Sequence, residues 1–258
     1  MTPVKPFLQT LDLRGLAVVV ALVAGWELAA HNLAILAGAP TLSGALAVAA
    51  DAFKNGGLQE NFLASLRRAA YGFVIGSSLG LSFGTLLGVS SKADRLLGSL
   101  LTALRQIPIF GLVPLIGLWF GMGESGKIVL ISLAAFYPTA LNTQEGFRTT
   151  PKLYREVGAL LKFSRLTLLR RVLLPAALPS ILTGLKHGLT FAWIAVIAAE
   201  LFLSAAPGLG NILEAGRIQV DMNIVLLGIV LIGITGAAMT ALVTQLERWL
   251  LRWRPAAR

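Results

Sequence analysis

The sequence predicts an all-α membrane protein with about six transmembrane helices, on three observations. Hydrophobic residues make up 56% of the chain and charged residues 13%, with a mean hydropathy of +0.78. No water-soluble domain of 258 residues is so poor in charge. The apolar residues fall in runs of about 15 to 28, separated by polar intervals. When the runs alternate across a bilayer, 16 lysines and arginines fall on one side and 5 on the other. The positive-inside rule then places both termini of this multi-pass chain in the cytoplasm. The same rule accounts for the net charge of +10, so no nucleic acid partner is implied. The chain has no cysteine, which excludes disulfides and thiol chemistry. Its two histidines, His31 and His187, are far apart and have no metal-ligand spacing. We therefore expect no metal site and no cofactor bound by this chain.

Each element follows in order. Residues 1–14, with Lys5 and Arg14, form a short cytoplasmic leader. No small-residue cleavage pattern follows the first apolar run, so it reads as a retained span over about 15–36. Trp26 and Glu27 lie inside it, and Glu27 is expensive in lipid unless it faces protein. Residues 37–66 read as an external loop with a short helix. Span 2 covers about 69–90, with Gly72, Gly76, Gly80, Gly84 and Gly88 at every fourth position. Glycine at that spacing lets a neighbouring helix approach backbone to backbone, so these five are read as helix-packing residues.

Lys92, Arg95 and Arg105 mark a cytoplasmic connection. Span 3, about 106–120, is broken by Pro108 and Pro114, and span 4, about 128–144, contains Pro138. Such breaks are tolerated where neighbouring helices or a cavity satisfy the freed carbonyls. Span 5 covers about 176–203 and includes Lys186, His187 and Glu200. Residues 204–222 read as an external or partly re-entrant loop, and span 6 covers about 223–246. The tail carries Arg248, Arg252, Arg254 and Arg258, with Trp249 and Trp253 as interface anchors.

The long basic interval from Glu145 to Pro179 reads as two amphipathic helices in series. Thr150 is placed to cap the first, with Pro151 at its first helical position. At 100° per residue Leu153, Tyr154, Val157, Leu160 and Leu161 share one face, opposite Lys152, Arg155, Glu156, Ala159 and Lys162. Ser164 is placed to cap the second, which carries a stripe of Leu166, Leu169 and Leu173. Pro175 and Pro179 then mark the start of a new span. On these residues alone the interval is a helix pair lying at the lipid surface.

Two short motifs are decoys. GMGESGK (121–127) nearly spells a phosphate-binding loop, but Ile128 stands where a magnesium-binding Ser or Thr belongs. The GESG within it is similar to the serine motif of rhomboid proteases. Ser125, however, lies in a Gly-rich turn, with His187 toward the opposite membrane face.

The basic interval resembles the EAA loop of ABC-importer membrane subunits. Glu156 followed by Val172, Leu174 and Pro175 matches that pattern, with Val157 and Gly158 in place of two alanines and Lys162 in place of a glycine. Four further stretches are similar to permeases of the nitrate, sulfonate and taurine importer group. They are LRQIPIFGLVPLIGLWFGMGESGKI (104–128), FYPTALNTQEGFR (136–148), LPAALPSILTGLKHGLTFAWIAVIAAEL (174–201) and GLGNILEAGR (208–217).

The resemblance implies a type I ABC-importer (MetI-like) fold. Residues 1–66 would hold the leader, first helix and external loop, 67–250 the permease unit, and 251–258 the basic tail. Coupling helices would lie at about 150–173, with Arg155, Glu156, Gly158, Lys162, Leu174 and Pro175 as ATPase-coupling residues. Two cytoplasmic ATPase subunits, a second copy of this chain, an extracytoplasmic substrate-binding protein and the bilayer would be the partners. The chain would not itself be an enzyme. Its cargo would be an aliphatic sulfonate, taurine, nitrate or similar small anion.

Thr139, Asn142, Thr190, Trp193 and Glu200 are the pathway candidates. They are polar or aromatic groups in spans 4 and 5, where lipid-facing residues should be aliphatic. For Thr139 and Asn142 the alternative is bonding across helices or repair of carbonyls freed by Pro138. An ATP-independent secondary transporter and a rhomboid-like protease are the rival functions.

Overall fold

The computed structural model describes residues 13–32, 39–54, 57–203 and 206–252, and every regular element among them is helical. In chain order these are α1 (Leu13–Asn32), α2 (Leu42–Lys54), α3 (Gly57–Val89), α4 (Ser91–Leu104), α5 (Ile109–Phe120), α6 (Glu124–Arg148), α7 (Lys152–Leu160), α8 (Arg165–Phe202), α9 (Leu209–Ile218) and α10 (Met222–Leu250). By length and composition α3, α8 and α10 suit a membrane span, and α4 with α5 forms a further pair bent by 89°. The leader with Lys5, residues 33–38, and the tail residues Trp253, Arg254 and Arg258 lie outside the described residues.

The chain divides into two compact units. The smaller comprises residues 1–58 and 212–230. In it the Glu27 carboxylate accepts hydrogen bonds from the backbone N–H groups of Leu42 (2.7 Å) and Ser43 (3.2 Å) and from the Ser43 hydroxyl (2.5 Å). Glu27 thus occupies donors at the first turn of α2 that the helix itself cannot satisfy, where an anion is favoured. Trp26 Nε1 donates to Pro40 O at 2.9 Å, and Asn223 Oδ1 accepts from Thr41 N at 3.0 Å.

The larger unit, 59–211 and 231–258, is organised around α6. Thirteen of its residues are buried, among them Leu130, Ile131, Ala135, Thr139, Ala140 and Phe147. Two glycine-bearing faces make this enclosure possible. On α3, a Cβ at Gly80 would lie 2.8 Å from Phe136 O, and one at Gly88 would lie 2.6 Å from Phe147 Cβ. Gly72, Gly76 and Gly84 abut Ile131, Ser132 and Ala140 in the same way. On α8, Gly184 and Gly188 lie against Asn142 and Thr139, where an added Cβ would reach 2.7 Å from each. Backbone contact at this range replaces side-chain interdigitation, as expected where lipid supplies no hydrophobic drive between helices. Apolar clusters close the gaps: Leu87, Leu101 and Ala140; Phe147, Leu173, Ala177 and Ile181; and Val113, Ile116, Leu130, Ala199 and Leu203.

The structure corrects several boundaries. The second half of the expected external loop is helical, because α3 starts at Gly57. Its first turns carry Gln59, Glu60, Asn61, Arg67 and Arg68, whose polarity hides a helix from a hydropathy reading. The connection marked by Lys92 and Arg95 is also helical, and the fracture lies at 105–108, where Pro108 cannot take αR-like continuation from its neighbour. The second amphipathic helix does not stop at Pro175. It runs on into span 5, with a wider π-turn at Leu169–Leu173 immediately before the proline that lacks an N–H.

Candidate coupling segment, polar pathway residues and a buried charge cluster

The segment after α6 begins with a correction. Thr150 does not cap α7; its hydroxyl donates to Gly146 O at 3.0 Å and so finishes α6, while Pro151 takes the cap position. A threonine one turn past a helical carbonyl is drawn back to it when that carbonyl lacks a donor. Arg155 Nη2 reaches the same helix end, donating to Phe147 O at 3.1 Å. Ser164 does cap the next helix, accepting from Thr167 N at 3.2 Å.

Between the two helices Lys162 adopts φ 53°, the left-handed conformation that usually calls for glycine. Phe163 N donates to Gly158 O at 3.0 Å and Lys162 N to Ala159 O at 2.9 Å, which is the Schellman pattern that ends a helix. Gly158 is buried, and a Cβ there would lie 2.5 Å from Leu168 Cδ1. A glycine at 158 therefore seats Leu168, and the bend falls at Lys162 despite its side chain. The apolar face of α7 points outward: Leu153, Tyr154, Val157, Leu160 and Leu161 are all exposed, Leu160 to 82%. Glu156, Leu174 and Pro175 are exposed too. A cavity of about 690 Å³ adjoins them, lined by Thr150, Tyr154, Arg171, Pro175 and Pro179 among others.

The pathway candidates are not brought to one place. Asn142 borders a polar cavity of about 880 Å³, together with Asp94, Arg105, Gln106, Gln144 and Arg148. Its amide donates to Pro138 O at 2.8 Å, and its backbone carbonyl accepts from Ser180 Oγ at 2.7 Å. Beside it Gln144 Nε2 donates to Asp94 Oδ1 at 2.5 Å. Thr139 is fully buried and donates to Ala135 O at 2.8 Å. Thr190 is exposed and donates to Lys186 O at 3.1 Å. Trp193 is buried, with its indole N–H on Ile232 O at 3.1 Å. Lys186 lies 3.8 Å from Glu247 of α10.

Glu200 belongs to a different arrangement. Its buried carboxylate accepts from Ser65 Oγ (2.7 Å), Arg68 Nη1 (2.7 Å) and Gly210 N (2.8 Å). Arg68 also donates to Pro207 O (2.6 Å) and, through Nε and Nη2, to both oxygens of Glu124 (2.8 and 2.5 Å). Those hydrogen bonds hold the Glu124 carboxyl, in the turn ahead of span 4, below the usual carboxylate range. Lys127 Nζ is enclosed 3.7 Å from Glu124 Oε1 and has no hydrogen bond. A lysine so placed faces a carboxylate rather than an open phosphate loop. These residues lie far apart in the sequence, in the polar stretch ahead of span 2, in the GMGESGK motif and near the end of span 5. The signal available was the spacing of Asn61, Ser65 and Arg68, which puts three polar groups on one helical face.

Residues 72–252 match the family described as binding-protein-dependent transport system inner membrane component. A permease of Bacillus subtilis (strain 168) named for aliphatic sulfonates, SsuC, is 39% identical over 190 residues, covering 74% of this chain and 68% of that protein. The bicarbonate transport system permease protein CmpB of Synechococcus elongatus is 35% identical over 196 residues, covering 76% and 70%. In fold, the chain is similar to one from inward-facing conformations of the MetNI methionine ABC transporter, with a TM-score of 0.65 at 21% identity over 74% of this chain and 95% of that one. The chain therefore belongs to the binding-protein-dependent inner membrane components, the permeases of ABC importers, and has their MetI-like fold.

Proposed function

We propose that this chain pairs with a second copy of itself to form the translocation path of an ATP-driven importer. In this reading two cytoplasmic ATPase subunits bind the α7 side and a binding protein delivers a small anion from the other side. The observation that carries it is the coupling segment. An exposed apolar face on α7, flanked by Arg155 and Glu156, ends in a Schellman turn and leads through α8, a single helix with one π-turn, into the bundle. An amphipathic helix with its apolar face outward is built to enter a partner's groove. A push there reaches the bundle along α8, whose helix continues past Pro175. The sixteen-to-five charge bias supports a cytoplasmic position for this segment.

Cargo of the sulfonate type is supported by the relatives named for aliphatic sulfonates and bicarbonate, both small anions. Asn142 is the pathway residue we favour, since its cavity offers amide and guanidinium donors without a tight cationic clamp. The coupling reading is tested by co-purification and uptake. Glu156→Lys, or deletion of residues 153–163, should leave the subunit inserted but abolish ATP-coupled uptake and retention of the ATPase. Full uptake by the deletion would defeat it.

A further inference from the structure

The four buried or half-buried charges around Arg68 divide into two neutral pairs. Arg68 and Glu200 are both enclosed, and Glu200 is held on every side, by Ser65, Arg68 and Gly210 N. Glu124 is different: its side chain is 54% exposed and Arg68 is its hydrogen-bonding cation. Lys127 stands three residues along the same helix, buried, 3.7 Å from that carboxylate, with no hydrogen bond of its own. An ammonium group enclosed without a hydrogen bond is costly, and here only the ion pair with Glu124 offsets that cost. The turn before it packs on the start of the helix, since a Cβ at Gly126 would run into Gly121 O, while a Cβ at Gly123 would meet no neighbour.

We propose that Lys127 is the reserve partner of Glu124, and that the transport cycle exchanges Arg68 for Lys127 on that carboxylate. When the first turn of α6 parts from α3, Lys127 travels with Glu124 and Arg68 stays with Glu200. Each side then leaves as a neutral pair, and neither face is left with an uncompensated buried charge. When the turn returns, Arg68 closes the contact by two hydrogen bonds to Glu124. Lys127 acts through Glu124 and is a positioning residue that touches no cargo. The inference rests on the transport reading above.

The test compares Lys127→Met and Lys127→Arg with the wild-type chain, using uptake by the reconstituted transporter and melting of the purified subunit in detergent. A reserve partner predicts that Lys127→Met melts at or above the wild-type temperature while uptake falls at least ~10-fold, chiefly in turnover and not in apparent cargo affinity. Lys127→Arg should restore uptake. A Lys127→Met subunit that melts below wild type makes Lys127 a bonded partner at rest and overturns the proposal, as does unchanged uptake. Absence of ATP-driven uptake by the wild-type complex would instead reject the importer reading, and the melting comparison would still decide whether Lys127 is held in reserve.

Discussion

Arg68 joins three segments of the chain through one guanidinium: the turn at Glu124, the end of α8 at Glu200 and the stretch at Pro207. Removing it leaves an enclosed carboxylate unpaired, which in buried pairs costs about 3–5 kcal/mol. Arg68→Met should therefore lower the melting temperature of the detergent-purified subunit far more than Glu200→Gln. The amide at 200 keeps an oxygen for Ser65 or Gly210 N and should lose only about 1–3 kcal/mol. Equal losses would mean that the cluster acts through packing alone. Lys162 gives a prediction of the opposite sign. A non-glycine residue at φ 53° carries about 1 kcal/mol of steric penalty. Lys162→Gly should make the turn after α7 more protected in hydrogen exchange, and Lys162→Val less. Little of this was legible in the sequence. Glu27 and Glu200 could be marked as ionisable groups within spans, but their partners and those of Arg68 are 10 to 139 residues away along the chain. Spacing within one helix cannot choose among partners so remote.

At the level of elements, α6 is the helix others are built to touch. The glycine period on α3 was legible because it depends only on spacing within that helix, and so was the cap at Ser164. The fracture at Pro108 was legible too, although no second break follows at Pro114, which lies in the first turn of a helix. The run of α8 through Pro175 was not, since a proline in the sequence does not say whether a helix stops or carries on through a wider turn. Packing energetics gives a paired prediction. Gly80→Leu forces a side chain into a site where even a Cβ would lie 2.8 Å from Phe136 O, so destabilisation of about 1–3 kcal/mol or more is expected. A Cβ at Gly233 on α10 would meet nothing within 4 Å, so Gly233→Leu should be close to neutral. Equal melting of the two variants would show that close approach on the α3 face is not what holds α6.

For the whole molecule, charge segregation, an exposed amphipathic helix and its continuation into the bundle suit a permease driven by a partner subunit. The orientation can be read directly, since the chain has no cysteine of its own. A cysteine at Ser164 should react with an impermeant thiol reagent only from the cytoplasmic side, and one at Ser125 only from the opposite side. If ATP, through a partner subunit, drives a small anion along this chain, the direct measurement is uptake of a labelled aliphatic sulfonate into proteoliposomes containing this chain and its ATPase, with the binding protein added outside. Uptake should require ATP inside and binding protein outside, persist when ion gradients are collapsed, and be lost in Glu156→Lys. Uptake by this chain alone, driven by a proton or sodium gradient and indifferent to ATP, would contradict ATP-driven import.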